Sequence, residues 1–304
     1  MKDFHGFPID VIENDQLRLE YLATAGPRIV RLSYKGSPNL MADIHQITWE
    51  TPHGEYRPLG GHRLWTAPES FARTYIPDGS GLQVRKYPTG VELAGAVEPG
   101  SGVQKSLRIE LEANRPVVQL LHTIVNKSLA PITLAPWTIT MFIPGGVAIL
   151  PQPEGNVDPD GVLSNRTLVL WPYTRINDPR LHLADDFITV QAAPDKRPFK
   201  IGYYNPHGWI GYWREGIFFV KRNEPQPEAT FPDGGSNTEL YCNHIGVELE
   251  ALAPLRQLNP GQFCCFAETW ELYDNLEQPF LKGWHPGQAG EAPQKKGRKL
   301  GKLD

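Results

Sequence analysis

Cysteine is scarce in this sequence. Its 304 residues hold three, Cys242, Cys264 and Cys265. Three thiols cannot build a disulfide framework, and no histidine–cysteine spacing of a zinc site accompanies them. Cys264 and Cys265 sit in an apolar run and would point to opposite faces of a strand; all are expected as buried thiols in a reducing compartment. Long apolar runs are missing as well. The opening residues, MKDFHGFPID, contain no apolar signal core, and no stretch approaches the ~20 apolar residues of a membrane span. A soluble, cytoplasmic protein without a membrane partner is therefore expected. The sequons NKS (126–128) and NRT (165–167) then count as chance matches. Charge is nearly balanced, with 30 basic and 34 acidic residues and a net charge of −4. Such a chain has no field to gather nucleic acid or an anionic bilayer. The phosphate-binding loop, the dinucleotide glycine fingerprint, HExxH and GxSxG are all absent. Nucleotide hydrolysis, dehydrogenation and zinc proteolysis are thus unsupported, and no cofactor or metal is called for.

Helix signals are few. Asp178 and Pro179 could cap and open a short helix within 177–187, and 275–284 offers another helical turn. What the chain has in quantity is alternation. In KSLRIELEAN (105–114), Leu107, Ile109 and Leu111 fall on one face and Arg108, Glu110 and Glu112 on the other. That is the pattern of a half-exposed antiparallel strand. Similar runs recur along the chain, among them LRLEYLA (17–23), PVVQLLHTIVN (116–126), GIFFVKR (216–222) and FCCFAETWELY (263–273). The 29 glycines and 29 prolines are spread between them, with Pro-Asp-Gly at 77–79, 159–161 and 232–234. The expectation is an all-β protein, a large antiparallel two-sheet sandwich of about a dozen or more strands. One domain would cover 1–286. A disordered basic tail would follow over 287–304. The oligomeric state is not legible.

Three stretches carry candidate chemistry. In LGGHRLWTAPE (59–69), the glycines predict a tight turn. After it, His62, Leu64 and Thr66 share one strand face, and Arg63 and Trp65 the other. A forked cationic donor beside an indole suits a sugar, whose hydroxyls accept hydrogen bonds and whose C–H face lies on the ring. The competing reading is packing, with Arg63 stacked on Trp65 and paired to Glu69. In NTELYCNHIGVELEALAPL (237–255), Glu239, Tyr241 and Asn243 share a face, and so do Glu248 and Glu250. Carboxylates pointing together from adjacent strands repel unless bases or ligand hydroxyls compensate, and they are candidates for general acid–base work. A solvated, charge-balanced face is the competing reading. The third stretch is aromatic: Trp137 in APWTITMF (135–142), and His207 and Trp209 in YYNPHGWIGYW (203–213). Loop aromatics point to ligand contact, and clustered aromatics to core.

The order of GGHRLW, VNKSLAPITLAPWTITMF and GVELEALAPLRQLNPGQFCCFAETWEL resembles the galactose mutarotase-like superfamily, the relatives of aldose 1-epimerase. The resemblance spans roughly residues 10–275 and is one of pattern and order. It implies a β-supersandwich with a sugar site on its concave face, lined by Arg63, Trp65, Trp137, Trp209, Tyr241 and Glu248. It implies that Arg63 grips the sugar and that Glu250 is the general base, with Glu248 as its near competitor. The family's general-acid histidine has no counterpart, because Trp137 stands where it would be. His62, His122, His207 and His244 are the substitutes to consider, of which His62 and His207 are taken as catalytic candidates. Two functions follow. One is an aldose 1-epimerase-like isomerase acting on a small sugar. The other is a carbohydrate-binding or sensing protein with the same fold and no turnover.

Overall fold

The computed structural model describes residues 3–156 and 158–274. The helical turn expected at 275–284 and the basic tail over 287–304 lie outside the described residues. The alternating runs become strands, and the strands form two large sheets and one hairpin, antiparallel throughout. The first sheet has eleven strands. Its centre runs from Arg28–Tyr34 through Gly61–Ala67, Ile132–Phe142, Val247–Leu252 and Thr238–Cys242 to Phe199–Tyr203. The second has ten, with Trp209–Arg214, Ile217–Arg222, Phe263–Tyr273, Val117–Asn126 and Val103–Leu111 in its middle. This is the expected antiparallel sandwich. No helix among the described residues is long and apolar enough to cross a membrane.

The core lies between the sheets, where the inward residues of each meet. Leu19, Leu32, Phe142, Ile201, Leu240 and Leu249 of the first sheet pack with Leu107, Ile109, Leu120, Phe219 and Trp270 of the second. Each such side chain contributes about 1.5–3 kcal/mol when fully buried. In Val103–Leu111 the core face is Leu107, Ile109 and Leu111, as the alternation predicts, and Arg108 is exposed.

Two expectations fail locally. No helix forms over 177–187. Asp178 instead folds back on Arg180, accepting from its backbone N–H at 3.0 Å and from Nε and Nη2 at 2.8 Å each. That Asx turn competes with helix initiation and leads directly into the short strand Leu181–Leu183. Of the three thiols, Cys242 is buried and Cys264 half-buried, but Cys265 is exposed. Alternation turns it to the outer face of Phe263–Tyr273, along with Phe263. The apolar run belongs to a central strand, and Phe263 and Cys265 lie on that strand's outer, exposed face.

The glycine turn is needed sterically. Gly60 and Gly61 have φ of +83° and +65°. A Cβ at Gly60 would stand 2.1 Å from the Ala42 carbonyl oxygen, and one at Gly61 would stand 2.1 Å from that of Ile29. No side chain fits, so the pair brings Gly61–Ala67 against its neighbours at the sheet's centre.

Candidate functional site

The strand Gly61–Ala67 is buried along its whole length, so both of its faces are covered. One face looks into the sandwich. The other looks outward into a cleft of about 310 Å³ on the far side of the first sheet. Register decides which residues meet there. Ile139 lies opposite Arg63 on one side and opposite Glu250 on the other. Trp137 lies opposite Trp65, and Met141 opposite Glu248. Arg63 and Glu250 therefore stand two strand spacings apart, about 10 Å at the backbone, on one face. The next strands add Tyr241, opposite Glu248, and Lys200, opposite Tyr241.

Aromatic side chains build the walls. Trp65 and Trp137 meet edge to face at 5.3 Å, and Tyr75 abuts Trp65 at 5.0 Å. Trp49, from the hairpin formed by Trp49–Thr51 and Gly54–Tyr56, covers Tyr56 and Tyr75. Tyr173 and Tyr241 close the other end, their rings 6.4 Å apart.

Charged groups occupy the floor. Arg63 is 3% exposed. Its guanidinium stacks on Trp65 at 4.1 Å and donates from Nη2 to Glu248 at 2.8 Å. Nε and Nη1 are buried without a hydrogen-bond partner. Glu250 is fully buried. Its Oε2 accepts from Trp137 Nε1 at 2.7 Å and from Lys200 Nζ at 2.9 Å, while Oε1 has no partner. Lys200 also pairs with Glu239 at 2.7 Å and lies 4.6 Å over the rings of both Trp137 and Trp171. Burial pulls the Lys200 amine down, but Glu250 and Glu239 outweigh that and raise it. Burial pushes the Glu239 carboxyl well up, and Glu250 and Asp233 add to the shift while Lys200 opposes it. Tyr241 is pushed up to about 12 by burial and by Glu248.

Buried polar atoms in folded proteins are almost always hydrogen-bonded. Two donor nitrogens of Arg63 and one acceptor oxygen of Glu250 break that rule within one cleft. Together they can grip a small polar molecule with both donor and acceptor groups, lying against indole.

Six of the residues singled out in the sequence line this cleft: Arg63, Trp65, Trp137, Tyr241, Glu248 and Glu250. Three do not. Trp209 is buried with Ile149, Phe218 and Val220, so its NPHGW segment is no ligand-contact loop. His207 donates from Nε2 to the Gln152 carbonyl at 2.9 Å, a loop-pinning bond outside the cleft. His62 points the other way from Arg63, into the sandwich, as strand alternation demands. There its Nε2 is 2.8 Å from His122 Nε2, and its Nδ1 is 2.9 Å from Thr140 Oγ1. His122 Nδ1 must donate to the Phe266 carbonyl at 3.0 Å, so its Nε2 accepts and His62 Nε2 donates. Both rings are neutral in this arrangement. Burial, then His122 and Lys221, hold His62 well below its ordinary value, and burial lowers His122. No histidine among the described residues lines the cleft. Arg63 pairs with Glu248 rather than with Glu69.

Lys200, Glu69, Tyr75, Trp49 and Tyr173 line the cleft without having been singled out as site residues. A lone lysine opening KIGYYN looks like any strand end. Only the register of three strands shows that it stands between two glutamates.

His62, His122 and Glu268 place ligand-type atoms close enough for a metal, as do His5, Asp43 and His45 at the surface. Between the sheets, the Lys221 ammonium already stands 3.1 Å from Glu268. At the surface, the His5 and His45 rings are stacked 3.3 Å apart at 11°, and one ion cannot lie in two nearly parallel planes. Neither set is arranged as a metal centre.

Solved structures carry the same architecture. A galactose mutarotase-like protein from Lactobacillus casei superposes with a TM-score of 0.57 at 11% identity, over 88% of this chain and 100% of that one. The fold is that of the galactose mutarotase-like proteins. A galactose mutarotase related enzyme from Lactobacillus acidophilus matches over 89% of this chain and 99% of its own, at 10% identity and a TM-score of 0.50. A TPR-domain containing protein from Parabacteroides distasonis matches over 93% of this chain but 51% of its own, at 13% identity and a TM-score of 0.59. Neither family models nor curated protein sequences yield a match. The mutarotase-like likeness therefore rests on fold, and function has to be argued from the cleft.

Proposed function

We propose that the cleft binds a monosaccharide and interconverts its anomers, as an aldose 1-epimerase does. One observation carries this reading. The buried carboxylate of Glu250, fixed by Trp137 and Lys200 through one oxygen, leaves its other oxygen without a partner in the floor of a cleft whose lining also includes Arg63, with two unpartnered nitrogens. A volume of about 310 Å³ with aromatic walls suits one sugar ring and little more. Arg63 donates to ring or hydroxyl oxygens, and Trp65 or Trp137 receives the C–H face. The free oxygen of Glu250 takes the proton of the anomeric hydroxyl. The C1–O5 bond breaks as the ring oxygen gains a proton, and an open-chain aldehyde results. Rotation about C1–C2 and re-closure on the other face of the carbonyl return the proton from Glu250 to the new anomeric hydroxyl.

The second reading is a carbohydrate-binding protein without turnover. It is favoured by one fact, that no histidine among the described residues lines the cleft to protonate the ring oxygen. Exchange NMR on α-glucose and α-galactose separates the two. An enzyme accelerates α/β interconversion above the buffer rate, and Glu250→Gln abolishes most of that gain, by about 10²-fold or more for a general base. Sugar binding by calorimetry with no acceleration establishes the second reading instead.

A further inference from the structure

Ring opening needs a proton donor on the side of the ring oxygen, and the cleft offers few groups that can supply one. Among the described residues, three carboxyl groups line it: Glu69, Glu248 and Glu250. Glu248 is ion-paired with Arg63 at 2.8 Å, and Glu250 with Lys200 at 2.9 Å. Glu69 alone forms no ion pair among the described residues. Its one side-chain partner is the hydroxyl of Tyr75, which donates to Oε1. The other oxygen is left to carry a proton. Glu69 stands exposed at the rim, just after Gly61–Ala67, the strand that presents Arg63 and Trp65. Solvent can therefore reload it between turnovers. The alternatives serve poorly. Lys200 is clamped between Glu239 and Glu250. Tyr241 is pushed up to about 12, and Tyr173 is also raised by burial, so both hold their protons too tightly to give them up near neutrality.

Resting on the epimerase reading of the cleft, we infer that Glu69 is the proton donor to the ring oxygen, a carboxylic acid doing what the missing histidine would do. In the forward step the Glu69 Oε2–H proton passes to O5 as the C1–O5 bond breaks and Glu250 receives the anomeric proton. In closure O5 attacks the aldehyde and returns its proton to Glu69. Both groups end as they began. The electrostatics agree. The Glu69 side chain is exposed at the rim yet partly desolvated by the residues packed around it, and that desolvation raises its pKa; Lys200 opposes the shift, and Glu250, Asp233 and Glu248 reinforce it. The two carboxyl groups differ in setting: Glu250 is ion-paired with Lys200, whereas Glu69 has no cation partner among the described residues and is held toward its acid form.

The test is anomer-exchange NMR on wild type, Glu69→Gln and Glu69→Asp across a pH series, with sugar affinity measured by calorimetry. Glu69 must be protonated to act, so kcat should fall as pH rises through a value above the ordinary glutamate range. Glu69→Gln should lose about 10²-fold or more in kcat with affinity within threefold, and the alkaline fall should vanish. Glu69→Asp should keep the alkaline fall at reduced rate. An active wild type whose Glu69→Gln variant stays within threefold, or keeps the alkaline fall, overturns Glu69 as donor and leaves the epimerase reading standing. A wild type that binds sugar without accelerating exchange overturns the epimerase reading, and the donor role with it.

Discussion

At the scale of single residues, the site depends on how buried charge is compensated. Glu239 and Glu250 lie directly opposite each other on adjacent strands, both fully buried. Like charges so placed are tolerable only with a cation between them, and Lys200 supplies it at 2.7 and 2.9 Å. Removing one partner of a buried ion pair leaves an uncompensated charge, which costs about 3–5 kcal/mol. Lys200→Met is therefore expected to lose that much stability near pH 8, read from urea denaturation. Its pH dependence has a definite sign. Without the amine, which now opposes the upward shift of Glu239, the folded pKa of Glu239 rises further above the unfolded one. Protonation on the acid side then restores neutrality, so the deficit should shrink as pH falls toward 5. A deficit independent of pH would mean that the lysine acts through packing on Trp137 and Trp171 alone.

At the scale of strands, period-2 alternation was legible and most else was not. The split of GHRLW into an inward His62 and an outward Arg63 and Trp65 follows from Cβ geometry, and the structure has it so. The shared face of Glu248 and Glu250 is likewise real. What the sequence could not supply is pairing. Nothing local says that Gly61–Ala67 lies beside Ile132–Phe142, or that Phe199–Tyr203 brings Lys200 within reach of Glu250, because those contacts join residues tens of positions apart. The FCCF run shows the other limit. Hydropathy cannot tell the inner from the outer face of a strand whose residues are apolar on both, so Cys265 was expected inside and lies outside. Thiol labelling checks this alternation directly. Cys265 should react with iodoacetamide in the native protein. Cys264, pushed up to about 11 by burial, should react far more slowly, and buried Cys242, also near 11, only on unfolding. Equal rates for Cys264 and Cys265 would contradict the facing of Phe263–Tyr273.

At the scale of the whole molecule, the sandwich is joined by a polar layer set within its apolar core. Lys221, from the second sheet, donates to the Thr138 and Leu249 carbonyls at 2.9 and 3.2 Å and reaches Thr140 Oγ1 at 3.3 Å. Those carbonyls belong to the strands that present Trp137 and Glu250 on the opposite face, so the layer that ties the sheets also holds the cleft floor. His62 and His122 complete it as a neutral, hydrogen-bonded pair. Both have folded pKa values below the unfolded 6.5, so their contribution is fully present above pH 6.5 and is lost as pH falls below it toward the folded values. The unfolded chain takes up protons that the fold refuses, and each histidine lowers stability by up to about 1.4 kcal/mol per pH unit in that window. Glu239 acts with the opposite sign, since its raised folded value makes its contribution present below the ordinary glutamate range and lost as pH rises. The wild-type curve is thus a difference of two trends, and a variant isolates one of them. His122→Gln keeps a donor and an acceptor but does not titrate. Its urea-unfolding free energy should fall less steeply than wild type between pH 6.5 and 5, by about one proton's worth of slope. Parallel curves would show that His122 is already protonated in the fold, and the hydrogen-bond chain from Thr140 through His62 to Phe266 would have to run differently.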